Sequence, residues 1–263
     1  MTDSKHVALL LTQEEQDRRD QARRSLYKAL RDAGHHVVLK DSSASDPSIT
    51  VTLVSLGGRT LWGPSNGLPT QDPAAPLRRY LDEHHVNARA AMDGDTSSLH
   101  ITLAGAADAE RLTDLVLQSL PPERRAARRL TQTFFNAGLA RPVDGVSITA
   151  GNGRVNIGDL YITYALQLWA LLGGGEAAKH YSPHEVDWRQ VEEIAEQMEA
   201  VVSTVCGEQV SVEPDPVCSS CAGSRDDQIA LGQVSPDGAD RLADAIETAL
   251  RRAAPDPASA ETN

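Results

Sequence analysis

At 263 residues with 40% apolar content the chain can bury a substantial core, and its net charge of -12 repels nucleic acid and anionic membranes alike, which excludes a general coat for either. Three cysteines do not make a disulfide framework in a chain this long, and the opening MTDSKHVALLLTQEEQ holds too short an apolar run for a signal peptide, so the cytoplasm is the expected compartment. Of the 25 basic residues only Lys5, Lys28, Lys40 and Lys179 are lysine, a bacterial-like, GC-rich composition.

In chain order, His6 to Leu11 reads as a buried strand. Thr12 and Glu15 then form the T-x-x-E capping box of a helix running to Gly34, with Ala22, Leu26, Leu30 and Ala33 on one face. Glu14 with Arg18, Glu15 with Arg19 and Asp20 with Arg24 stand at i,i+4, so the basic run of this helix is expected to be neutralised within it. His35 to Lys40 and Ile49 to Leu56 follow as two strands. Gly57 to Pro73 has no periodicity and a glycine or proline every few positions; a loop of about seventeen residues is usually functional or disordered. Trp62, with Arg59 and Asn66 in the same loop, is a candidate anchor for a partner or ligand, set against the plainer expectation that the indole folds back over the core.

A short helix over Ala74 to His85 leads to a hairpin of Val86 to Met92 and Leu99 to Leu103, and a further helix carries Leu112, Val116 and Leu120 inward. The Pro121-Pro122 pair after it is the expected boundary between an N-terminal lobe, 1–120, and a C-terminal lobe, 121–253, with 254–263 as a disordered tail. The second lobe opens with a helix placing Leu130, Phe134 and Phe135 inward and stopping at Gly138. A tight hairpin around Gly151-Asn152-Gly153 follows, with Val146, Ile148, Val155 and Ile157 as its apolar positions.

The stretch VNIGDLYITYALQLWALLGGG then predicts a central helix over 160–172, capped by Asp159, ended by Gly173 to Gly175 and apolar on nearly every face. It is too short to cross a bilayer. Ser182 to Glu185 reads as the capping box of the next helix, whose stripe is Trp188, Val191, Ala195, Met198, Val202 and Val205. A strand at Val210 and Val212, a partner at Ile229 and Leu231, and a helix from Ser235-Pro236 complete the lobe.

The expected class is α+β: antiparallel sheets built from repeated helix–hairpin units with helices on one face. The first six elements, β-α-β-β-α-β, also fit a ferredoxin-like arrangement, which implies no function. AERLTD at Ala109 to Asp114 echoes ADRLAD at Ala239 to Asp244, each after a strand, which suggests an internal repeat.

Little in the chain signals chemistry, and no cofactor is expected. Cys218 and Cys221 form a lone CxxC that Cys206 and His180 or His184 could complete as a zinc set, but a second pair is missing and cysteines packing a hairpin loop are preferred. The glycines from Gly151 to Gly158 match no phosphate-loop spacing. The pairs His35-His36 and His84-His85 follow helix ends, where the dipole favours an imidazolium. Arg124, Arg125, Arg128 and Arg129 have only Glu123 near them in sequence and form the one unneutralised basic patch, read as solvated or partner-facing before nucleic-acid-binding.

The expected function is a non-catalytic interaction or accessory module, with a protein partner or a second copy as ligand. The runner-up is a small-molecule binder or enzyme with a pocket under the 57–73 loop, using Trp62 and the histidine pairs; a nucleic-acid contact through Arg124 to Arg129 is the third. Replacing Leu166 or Trp169 by alanine should cost roughly 3 to 5 kcal/mol in a thermal or denaturant melt. Trp62→Ala should leave melting nearly unchanged if Trp62 is a loop anchor, and an equal drop would place it in the core.

Overall fold

The computed structural model describes residues 11–40, 46–54, 74–93, 98–139, 148–182, 186–215 and 228–253. The proposed strand at His6, the 57–73 loop with Arg59, Trp62 and Asn66, the Cys218-Cys221 pair, His184 and the tail all lie outside them. Contacts divide the chain into two compact units, Met1–Leu120 and Pro121–Asn263. The class is α+β with antiparallel sheets.

The first unit runs α1 (Gln13–Asp32), β1 (His36–Leu39), β2 (Ile49–Val54), α2 (Ala75–Glu83), β3 (Ala88–Met92), β4 (Leu99–Leu103) and α3 (Ala106–Gln118). Its four strands lie in the order β1-β2-β4-β3, every pair antiparallel. The capping box at Thr12 and Glu15 forms as the sequence implies. Strict alternation in β2 and β4 puts Ile49, Val51, Leu53, Leu99, Ile101 and Leu103 on one face, where they pack with Leu26 and Leu30 of α1 and Leu112 and Val116 of α3.

Among the described residues the ferredoxin-like order expected for the first six elements is not formed as read: β4 lies between β2 and β3, the place the first strand of such a sheet would take, and the proposed strand at His6 lies outside them. The charges of α1 also behave differently from expectation. Arg18 reaches Glu110 of α3 at 2.8 Å, and Arg19 is buried, donating to the Asp46 carbonyl at 2.8 Å. Arg24 bonds the backbone carbonyl of Asp20. Helix α3 lies beside α1, and a long guanidinium reaches a neighbouring helix as easily as its own next turn.

The second unit runs α4 (Pro122–Asn136), β5 (Thr149–Gly151), β6 (Arg154–Tyr161), α5 (Ile162–Trp169), a π-helical turn (Ala170–Gly174), α6 (Gly175–Ala178), α7 (Trp188–Cys206), β7 (Val212–Asp215), β8 (Gln228–Val234) and α8 (Pro236–Ala253). Its strand order, β5-β6-β8-β7, again antiparallel throughout, repeats that of the first unit position for position. In both units the first and last helices, α1 with α3 and α4 with α8, pack on each other. The echoed hexapeptides occupy equivalent places in α3 and α8, and Leu112, Val116, Leu242 and Ile246 are all buried.

Three expectations for this unit need correction. The proposed helix over 160–172 is shorter: Asp159 and Leu160 belong to β6, α5 covers Ile162–Trp169, and Ala170 is exposed with Leu171 and Leu172 half-buried. Pairing of Asp159 with Ala230 and of Leu160 with Ile229 continues the sheet and takes the backbone the cap would have used. Gly158, at φ 80°, shifts the alternation so that Val155, Ile157 and Leu160 all face the core. Next, α7 starts at Trp188 with a capping box of Asp187 and Gln190, later than Ser182 to Glu185, so Trp188 sits in the exposed first turn. Finally, Phe134 is buried but Phe135 is half-exposed, because neighbouring positions on a helix stand about 100° apart and only one of the two can face the sheet.

The edge strands β3 and β7 are shielded alike. Arg78 of α2 donates to the Ala90 carbonyl at 3.1 Å, and Glu199 of α7 accepts from the Val212 N–H at 3.3 Å, so a charged side chain from the preceding helix occupies an outward backbone group in each.

The three consecutive glycines have different roles. A Cβ on Gly174 would collide with the buried Trp169 indole, whereas on Gly175, in helical geometry, it would meet nothing closer than 3.7 Å. Gly174→Ala should therefore destabilise the protein by about 1 to 3 kcal/mol, and Gly175→Ala should be neutral or stabilising by up to about 1 kcal/mol, in urea melts of the two variants side by side.

Candidate functional site

Among the described residues, the sequence-predicted site residues do not converge. His36 pairs with Val54 at one end of β1, whereas His84 and His85 end α2 ahead of Ala88, at the opposite end and the opposite edge of the same sheet. A pocket gathering both histidine pairs is therefore not formed. His84 rests against the Tyr80 ring at 4.4 Å between centroids, and His85, at φ 54°, turns the chain out of the helix with its carbonyl accepting from Arg111. Both have structural uses.

The proposed unneutralised basic patch is also corrected. Arg129 lies 2.5 Å from Asp244, 3.1 Å from Glu247 and 3.5 Å from Asp240, all on α8, and these partners, the Asp244 hydrogen bond foremost, raise its pKa further. Arg124 and Arg128 are engaged as well, leaving Arg125 as the exposed member whose side chain has no partner among the described residues. Sequence proximity to Glu123 alone could not reveal this, since the carboxylates come from more than 100 positions away. The first unit has a related pairing: Glu110, equivalent to Asp240 in the echoed hexapeptides, accepts from Arg18 on its own first helix.

Of the zinc set, Cys206 is fully buried, and desolvation, with the Glu208 carboxylate beside it, pushes its thiol up to about 11. Such a thiol stays protonated at neutral pH and packs as part of the core. His180 is exposed, its Nδ1 2.8 Å from the Glu176 carbonyl of the short helix that precedes it. Among the described residues no group of three or more His, Cys, Asp or Glu side chains is placed to hold a metal ion, and no helix is long and apolar enough to cross a membrane.

Two polar arrangements escaped the sequence reading. On the face of the first sheet opposite the helices, Thr52 Oγ1 lies 2.8 Å from His100 Nδ1, and His100 Nε2 lies 3.7 Å from Asp93 Oδ2. Thr50 and Thr102 pair beside them at 3.2 Å. The register Thr52↔His100 places these groups side by side on one face, where they satisfy one another as a cross-strand ladder. A sequence signal did exist: aligning the alternation of β2 and β4 puts the threonines and the histidine on one face.

The other is a junction around Glu208, just beyond α7. Its carboxylate accepts from Ser235 N–H at 2.7 Å, Ser235 Oγ at 2.5 Å and Arg154 at 3.0 Å, tying the end of α7 to β6 and to the start of α8, where Ser235 Oγ in turn accepts from the Gly238 N–H. Burial alone would raise this carboxyl, but the bonds from Ser235 and Arg154 outweigh it and hold the group below its ordinary 4.5.

No family model, curated protein or solved structure matches the chain.

Glu208→Gln should cost about 1 to 3 kcal/mol at neutral pH. Because the folded carboxyl is depressed, its contribution is complete above the ordinary glutamate value and fades as pH falls through the folded pKa. Urea melts of both proteins should therefore differ by a constant amount above about pH 5.5 and converge in acid; a gap that persists undiminished in acid would exclude the ionised carboxylate as its source.

Proposed function

We propose that the chain is a non-catalytic protein-interaction module acting in the cytoplasm, and that its two units are copies of one fold. The open face of the first sheet carries this reading. It is made of Val38, 49% exposed, with the half-buried Thr50, Thr52, His100 and Thr102 and the exposed Arg89 at its edge. Its hydroxyl and imidazole groups already bond one another, so covering it with a partner would strand few polar atoms, which is the main cost of closing a polar interface. The ion pairs described above join elements within a unit and do not converge on a cavity, which supports binding over catalysis. The common strand order and the matched Glu110 and Asp240 support duplication.

The test is recovery of the tagged full chain from its native cells after mild cross-linking, beside Val38→Arg, which plants a charge on the open face without touching the core. A stoichiometric partner that is retained by the unaltered chain and lost from the variant, at equal melting temperature, is the expected result. A partner recovered equally with both would remove this face from the interaction. A tightly held metabolite in native mass spectrometry, with no protein partner, would favour the pocket reading instead.

A further inference from the structure

The solvent-facing side of α7 and the adjoining edge of the second sheet form a groove of about 610 Å³. Ala195, Ala200, Val212 and Pro214 line it, and Glu192, Glu196 and Glu199 stand along it at helical spacing. Trp188 continues the same face one turn earlier; it is 40% exposed, and its Nε1–H donates to Glu192 at 2.8 Å, which holds the indole along the helix. From Trp188 to Ser203 the face measures roughly 22 Å, four helical turns.

How a partner can use this groove is restricted by its edge. Gly232 N–H donates to the Ser211 carbonyl at 2.8 Å, so Ser211 faces β8, and Val212 and Pro214, alternating with it, turn their backbone outward. The outward N–H of Val212 is already met by Glu199, and proline has none. An added strand would find no donor there, which leaves recognition through side chains. A small-residue apolar floor, a row of carboxylates and an exposed tryptophan suit a helix with one apolar and one basic face.

We propose that this groove docks a basic amphipathic helix of a partner protein, with Trp188 as the apolar anchor and Glu196 as a principal charge contact. The inference rests on the reading of the chain as an interaction protein but not on the open face of the first sheet. It is tested with the full chain and a fluorescein-labelled synthetic peptide of about fifteen residues, built from leucine, lysine and arginine at helical spacing, against a scrambled peptide of the same composition. Saturable binding in fluorescence anisotropy is expected for the amphipathic peptide, roughly tenfold weaker for the scrambled one, and weakened roughly tenfold or more by Trp188→Ala and by Glu196→Arg. Glu14→Arg, an identical charge change on the exposed start of α1, should alter it less than about twofold.

All three positions are exposed, so the variants should melt with the unaltered chain. Equal weakening by Glu196→Arg and Glu14→Arg, equal affinity for the two peptides, or no saturable binding would each overturn the proposal. A partner captured from cells through the Val38 face would still stand after such a failure, so the two ideas fail separately.

Discussion

Each unit depends on covering one face of a four-stranded sheet with helices that come from opposite ends of its own segment. Neither α1 nor α3, neither α4 nor α8, can bury its apolar stripe until the hairpins between them have paired through β2–β4 or β6–β8. The central strand pairing and the helix pairing are therefore one cooperative event, driven by apolar burial. The Arg18–Glu110 bridge and the Arg129 cluster at the matching place then align the helices. Arg18 is mostly exposed and contributes little to stability, whereas Arg129, more shielded and held by three carboxylates, joins α4 and α8 more firmly.

The same topology leaves β1 and β3 as edges of one sheet and β5 and β7 of the other, and at β3 and β7 the preceding helix supplies cover. Arg78 blocks a carbonyl and Glu199 blocks an N–H, opposite charges used for one purpose. On β7 this closes the route by which sheets most often recruit partners, and it turns the acidic side of α7 into the accessible feature. Part of the chain's negative charge is thus local and specific: the carboxylates of α8 grip Arg129, Glu208 joins three elements, and Glu192 and Glu196 on α7 face outward.

Packing around Trp169 shows the same economy in the apolar part of the second unit. The indole is buried against the chain at Gly174 and near Tyr181, and the chain kinks at Gly173, φ 110°, between α5 and α6. Leu171 and Leu172 are consequently left half-buried beside α8.

Local geometry and periodicity were legible in the residues alone. Thr12 and Glu15 are three residues apart and cap a helix wherever it lies; the alternation of Ile49, Val51 and Leu53 assigns a strand and its inner face; Leu112 with Val116 and Leu242 with Ile246 mark two similar helices in similar places. Which elements became neighbours was settled on folding, and the misreadings of Asp159 and Arg129 turn on that. Asp159 looked like a cap because a helix follows, but β8 was there to pair with it. Arg129 looked free because its carboxylates are distant in sequence, and Trp188 looked buried because periodicity locates an apolar stripe without saying where the helix begins. A side chain's partner depends on distances the chain acquires only on folding, so charge pairing and exposure were the features least legible in advance.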